Sequence, residues 1–470
     1  MNKNISRLFQ YTFVSILNAA ISLITMMILT RVLSKQFLGN LNLFITASST
    51  LMSIICFGFD SSYIRFFYEP PNGLNCKQLA WYCIFPTVIL FLIFDCLIIC
   101  FRNTDLINVL IGGKGTLIAC LFIISVISQF IYRYFTLYFR MKDKVISFSS
   151  ITLLFVLISK TIVILLFRFN QSFSFILLTT NILLVLFMLY FLIRNFSDFI
   201  EFTPIKIKKY KTISRVALFC APNFAVIYLI SYIPQTLIKK YLDDGTLGVF
   251  TGLLLFVNAV QALSSGFTTF WSPFMYKNYK EKNKEIQMVH DIVMLALIVC
   301  LAMVIIFHKV LYCFVGSQFR QNQDILGIIL ICPLINIAVE TTSYGIAINN
   351  RNEITLSIYL FTLIVNVLLC FILIKEYGLL GVAVGSAVSS DLKFILMTLI
   401  GQKMYKSITD YKKTFLMFLL INIAAFVFFI LYDQFPIVVI ICLVIIGISF
   451  ICNINIIKNI YSLVKNKNKE

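Results

Sequence analysis

Charge is the scarcest feature of this sequence. Only 13% of its 470 residues are Asp, Glu, Lys or Arg, about half the roughly 25% of a soluble domain. Histidine is nearly missing, with His290 and His308 alone. No two of the 13 cysteines are spaced C-x-x-C. Most lie inside apolar runs (Cys56, Cys96, Cys100, Cys120, Cys300 and Cys442), where a thiol behaves as a small hydrophobe. No metal and no cofactor are expected. Enzyme signatures are also missing. Gly112-Gly113-Lys114-Gly115-Thr116 lacks the spacing of a phosphate-binding loop and a preceding strand. There is no ATPase domain, no loop large enough for membrane-enzyme chemistry, and no stretch left over for a soluble domain. The chain reads as a non-enzyme.

What is present is apolar: 60% of residues are hydrophobic and 47 are Phe. Runs of the roughly 20 residues needed to cross a bilayer recur from end to end. They predict an all-α integral membrane protein with about 14 transmembrane helices (12–14), over 11–33, 41–66, 79–101, 115–139, 145–167, 173–194, 214–238, 246–274, 288–312, 325–348, 354–374, 379–400, 413–432 and 436–458. The first run has no small-residue cleavage site at a suitable place and reads as a retained helix.

The net charge of +19 comes from 39 Lys and Arg against 20 Asp and Glu. With the N-terminus inside, 26 of the 39 fall on the cytoplasmic side, 10 on the outer side, and three (Arg133, Lys160 and Lys393) within helices. That bias places both termini in the cytoplasm and argues against a nucleic-acid partner. A basic loop near 197–213 divides the chain into an N-terminal lobe (1–196), the linker (197–213), a C-terminal lobe (214–402) and a last helix pair with a basic tail (403–470). A faint repeat supports two six-helix lobes in a parallel pseudo-two-fold arrangement. Arg31 precedes Leu38-Gly39 and an apolar helix, and Lys240 precedes Leu247-Gly248 and another.

Charged side chains are costly in hydrocarbon and face a cavity or a partner. Ser125, Gln129, Arg133, Thr136 and Arg140 form one polar stripe on the fourth span, with Arg133 either lining a cavity or snorkelling to headgroups. Lys160 lies in the fifth span. The twelfth carries Ser386, Ser389, Ser390 and Lys393, the tenth Asn336 and Glu340, the first Ser15, Asn18, Ser22 and Thr25. The seventh carries Pro222-Asn223, a Pro that kinks the helix and frees backbone groups. Glu340 is either a proton or cation site or a partner for Lys393; Asp95 and Asp291 sit near helix ends. Together the polar faces predict a hydrated cavity.

Several segments resemble polysaccharide flippases of the O-antigen repeat-unit (Wzx) type, in the multidrug/oligosaccharidyl-lipid/polysaccharide (MOP) superfamily. They are Ile28–Ser34 with Phe37-Leu38-Gly39, Gly58–Glu69 (with Asp60 and Arg65), Tyr138–Lys142, Ala221-Pro222-Asn223, Leu247–Phe250, Phe270–Phe274 and Tyr377–Ala383, over about residues 5–400. One departure stands out. Pro234-Gln235-Thr236 occupies the area where members often carry an Asp-Arg pair, and the nearest charges are Lys239 and Lys240. The resemblance implies a bacterial inner-membrane transporter. It would move an oligosaccharide on undecaprenyl diphosphate to the outer leaflet, amid membrane lipids and beside polymerase and chain-length machinery. Its cationic cavity would use Arg133, Lys160, Arg31, Lys393, Arg65 and Lys240, with Asn18, Ser22, Gln129, Asn223 and Asn336 as polar lining and Glu340 and Asp60 in coupling or gating. A diphosphate suits such cations, since low-dielectric walls strengthen the pairing and Arg binds phosphate bidentately. Two rival readings are a cation-coupled small-molecule exporter of the same superfamily, which would favour acidic cavity residues, and a glycan polymerase.

Overall fold

The computed structural model describes the backbone of residues 3–71, 73–349 and 351–454, and their side chains except 3–16, 219, 223, 224, 269 and 270. No β-strand occurs among the described residues. In hydrocarbon every backbone polar group must be paired internally, and this chain meets that demand with helices throughout. The chain divides into two compact units, Met1–Thr251 and Gly252–Glu470.

The first unit contains α1 (Lys3–Val32), α2 (Lys35–Cys56), α3 (Phe59–Phe66), α4 (Cys76–Cys100), α5 (Asp105–Ile111), α6 (Thr116–Met141), α7 (Val145–Val156), α8 (Ile162–Phe169), α9 (Phe173–Phe199) and α10 (Ile207–Tyr241). A π turn, Leu157–Thr161, joins α7 to α8. The boundary between units falls inside α11 (Asp244–Asn278). The second unit continues with α12 (Asn283–Ile306), α13 (His308–Tyr312), α14 (Leu326–Thr342), α15 (Tyr344–Ile348), α16 (Asn352–Met404), α17 (Tyr411–Ile430) and α18 (Phe435–Cys452).

Twelve helical stretches among the described residues are long and apolar enough to cross a membrane. One is α16, whose 53 residues would run about 80 Å at 1.5 Å per residue, against about 30 Å of hydrocarbon. It breaks at Gly378, where φ is 55° and ψ −128°. The 30-residue α1 is not among the twelve; its Leu17–Val32 stretch is a shorter apolar helix. Large apolar side chains such as Leu92, Leu165, Leu186, Ile364 and Leu443 are more than half exposed, as a lipid-facing surface requires.

The expected second span, 41–66, is two helices. Phe57 (φ 42°) and Gly58 (φ 73°) are left-handed and end α2. A side chain at Gly58 would also collide with α10, since a Cβ there would lie 2.7 Å from the Ala221 nitrogen. In the first unit α2 packs on α6 and α10, and α6 on α9. Buried aromatics fill the joint of α3, α6 and α9, with Phe135 and Phe199 at 4.9 Å between ring centroids.

In the second unit α14 is the central helix, packed on α12, α16 and α17. His290 of α12 is fully buried. Its Nδ1 lies 2.8 Å from Thr341 Oγ1 on α14, and its Nε2 lies 3.0 Å from Thr414 Oγ1 on α17. The neighbouring Asp291 pairs with Lys413 of α17 at 2.8 Å. His290→Ala removes two buried hydrogen bonds and leaves a cavity, so it is expected to destabilise the unit by about 3 kcal/mol. The midpoint of thermal unfolding in detergent measures this; an unchanged midpoint would show that the three-helix node adds nothing.

Candidate functional site

The polar stripe of α6 lines a cleft of about 360 Å³ inside the first unit. Gln129, Arg133, Thr136 and Arg140 come from α6, and Ser49 comes from α2. Met52 of α2, Tyr132 and Leu137 of α6, Phe148, Thr152 and Phe155 of α7, and Tyr228 of α10 complete the wall. Gln129 is held in place by α2: its Nε2 donates to Ser48 Oγ at 2.6 Å, and its Oε1 accepts from Ser49 Oγ at 2.8 Å.

Arg133 is held by Asp60, the second residue of α3. Its Nη2 and Nε donate to Asp60 Oδ2 at 2.7 and 3.1 Å. Asp60 Oδ1 accepts the Ser61 N–H at 2.8 Å. The pair is lopsided: the carboxylate is 7% exposed, the guanidinium 33%. The acid is therefore buried behind the cation, and Nη1 makes no hydrogen bond among the described residues. Arg140, two turns along the same face, is exposed at the cleft. The opening thus presents two cations and several hydroxyls, an arrangement able to bind an anion that carries sugar-like hydroxyl groups.

Lys160 lies on the π turn. An α-helical turn takes 3.6 residues, and an i→i+5 turn takes about one more. The cleft-lining positions of α7 are Phe148, Thr152 and Phe155. Lys160, expected to face the cavity, is not among the residues that line this cleft. Lys160 is partly buried and has no ion pair among the described residues.

The other expected positions are dispersed. Arg31 is exposed at the end of α1. Arg65 is on the surface, 3.9 Å from Glu69. Lys240 is exposed, its ammonium 5.2 Å from the Tyr241 ring centroid. None of these three lines the cleft. Asn18 and Ser22 are partly buried on α1, and Asn18 Oδ1 has no hydrogen-bond partner among the described residues. The side chain of Asn223 lies outside the described residues. In the second unit Lys393 Nζ donates to Asn336 Oδ1 and lies 5.7 Å from the Tyr359 ring centroid. Glu340 stands one turn beyond Asn336 on α14, and its carbonyl accepts the Trp271 indole N–H at 3.0 Å.

A second feature of the first unit was not expected: a clasp between α2, α10 and the start of α11. The repeated Leu-Gly pairs meet there. A Cβ on Gly39 would lie 2.7 Å from the Gly248 nitrogen, and a Cβ on Gly248 would strike the Lys35 carbonyl oxygen. Lys239 Nζ donates to Asn40 Oδ1 at 2.7 Å and to Asp244 Oδ1 at 2.6 Å. Asn40 Nδ2 donates to Asp244 Oδ2 at 2.9 Å, and Asn42 Nδ2 to Gln235 Oε1 at 3.0 Å. The sequence signal was the i,i+4 spacing of Gln235 and Lys239, which puts both on one helix face. In the short turn between the helices, the Thr246 hydroxyl and backbone N–H hold the Asp243 carboxyl below the usual carboxylate range.

No family model matches the sequence, and no curated protein matches it. Solved structures do. A lipid II flippase, MurJ, in an inward closed conformation has a TM-score of 0.70 at 14% identity, covering 95% of this chain and 99% of that one. An inward-facing multidrug resistance MATE family transporter of the MOP superfamily has a TM-score of 0.57 at 15% identity, covering 82% and 94%. A MATE structure in a bent conformation has a TM-score of 0.55 at 14% identity, covering 84% and 94%. The chain therefore has the helical fold shared by a lipid II flippase and by MATE transporters of the MOP superfamily.

Proposed function

We propose that this protein is a flippase for oligosaccharide repeat units linked to undecaprenyl diphosphate, and not an enzyme. It works by alternating access, in a bacterial inner membrane, with both termini cytoplasmic. In this reading α1 and the two halves of α16 cross the membrane separately, for fourteen crossings in two lobes and a terminal pair. One observation carries the substrate class: Arg133, partly exposed in a polar cleft within a membrane helix bundle, with Arg140 on the same face. A diphosphate needs such cations, and a neutral or cationic drug does not. The hydroxyls and amides of Ser49, Gln129, Thr136 and Thr152 suit sugar hydroxyls. Lys160 in the first unit, and Lys393 and Asn336 in the second, are further candidate substrate contacts, and Glu340 a candidate coupling residue.

A deletion strain tests the reading. Loss of surface polysaccharide with unchanged drug sensitivity is the expected result. Altered drug sensitivity with intact surface glycan would instead support a cation-coupled exporter of small molecules.

A further inference from the structure

We infer that the first three turns of α10 hold an anionic phospholipid by its phosphate. Lys208, Lys211, Arg215 and Leu218 are spaced three, four and three residues apart, which places them on one face of a helix. All four are exposed. The three cations make no ion pair among the described residues. Lys211, Ser214, Arg215 and Leu218 line a recess of about 320 Å³.

The opposite face of α10 is committed to α3 and the turn before it. Tyr210 stacks on Phe59 at 6.1 Å between ring centroids. The Ile213 carbonyl accepts from Ser62 Oγ at 2.9 Å, and Ala217 and Ala221 press their backbone against Gly58. The basic stripe therefore points away from the core of its unit, and core packing gives no reason for it.

The height of this stripe is fixed by the chain that leads into α10. The Trp81 indole N–H donates to the Thr203 carbonyl at 3.0 Å. The Tyr82 hydroxyl donates to the Pro204 carbonyl at 3.1 Å and accepts the Lys206 N–H at 2.8 Å. Trp81 and Phe202 pack edge to face at 4.7 Å. Trp and Tyr concentrate where hydrocarbon meets headgroups, so the start of α10 sits at that level.

The chemistry then selects the occupant. Lys208 lies at the headgroup level, and Lys211 and Arg215, one and two turns deeper, reach back along the helix to face the phosphate. Leu218, 57% exposed, lies one turn deeper, where an acyl chain runs. A zwitterionic headgroup brings its own cation to compete with these three, so the site favours a net-anionic lipid such as phosphatidylglycerol. A nucleic acid or an acidic protein segment would not reach the level of Leu218.

The full-length protein in detergent is titrated with phosphatidylglycerol or phosphatidylcholine, and bound lipid is counted from the mass of the intact complex. The wild type is expected to retain one phosphatidylglycerol much more tightly than any phosphatidylcholine. K211Q/R215Q is expected to weaken that binding about 30-fold, from two lost juxtamembrane cations. K211R/R215K, which keeps the charge, is expected to bind as the wild type does. Equal retention of both lipids by the wild type, or undiminished phosphatidylglycerol binding by K211Q/R215Q, would overturn the inference. So would an equal loss in K211R/R215K, because charge would then not be what holds the lipid.

Discussion

Arg133→Gln is expected to lower transport of a lipid-linked oligosaccharide by 10- to 100-fold. A hydrogen bond to a charged group contributes about 1.5–3 kcal/mol, and each 1.4 kcal/mol is a factor of ten. The substitution also strands Asp60, whose carboxylate is 7% exposed. Breaking a buried pair from one side destabilises by about 3–5 kcal/mol, so the amount of folded protein must be measured beside transport. R133Q/D60N separates the two effects, because it removes both charges. It is expected to restore the folded yield and to keep the 10- to 100-fold transport defect. Asp60→Asn alone should act in the opposite direction on binding. An incoming phosphate competes with the Asp60 carboxylate for the Arg133 guanidinium, which Asp60 already engages through two N–H groups. Removing the competing charge should tighten binding of inorganic pyrophosphate about tenfold, read by calorimetry on purified protein. A structural defect would weaken binding instead.

The second large effect concerns the clasp. A Cβ on Gly248 would collide with the backbone carbonyl of Lys35, which cannot move aside as a flexible side chain would. Gly248→Val should therefore cost about 1–3 kcal/mol through overpacking and force α2 away from the start of α11. In the proposed alternating-access cycle α2 and the start of α11 part and rejoin. A valine wedge holds the clasp open, and transport should fall to background. Asn42, partly buried and bonded to Gln235 at 3.0 Å, is a reporter of the opening. In an Asn42→Cys background, a membrane-impermeant maleimide should label the Gly248→Val protein at least tenfold faster than the Gly248 protein. Equal labelling rates with normal transport would mean that the glycine contact is incidental.

Much of this architecture was legible because membrane helices announce themselves by length and apolarity. The stripe from Ser125 to Arg140 was legible for the same reason: polar residues at helical spacing stand out on an apolar helix. The two Leu-Gly pairs could be read as a repeat, though not as a contact. Pairings across long sequence separations could not be read. Asp60 and Arg133 lie 73 residues apart, and one sequence does not say which acid meets which cation. Facing was equally hidden. Lys239 is inside and Lys240 outside, although the two are neighbours and both end a helix. Arg65 sits in a segment that reads as distinctive, yet it points to the surface. The end of α2 was missed because Phe57 adopts a left-handed conformation (φ 42°), which non-glycine residues seldom do. The π turn under Lys160 was missed because 3.6-residue periodicity contains no allowance for an inserted residue.

The central claim is that the cationic cleft of the first unit carries a lipid-linked diphosphate across the bilayer. Reconstituted vesicles containing a fluorescent disaccharide on a polyprenyl diphosphate test it most directly, with an impermeant quencher reporting how much substrate stays on the outer leaflet. The account predicts exchange between leaflets with wild-type protein and exchange about 10- to 100-fold slower with both Arg133→Gln and R133Q/D60N. Background exchange with the wild type, or full exchange with R133Q/D60N, would contradict it.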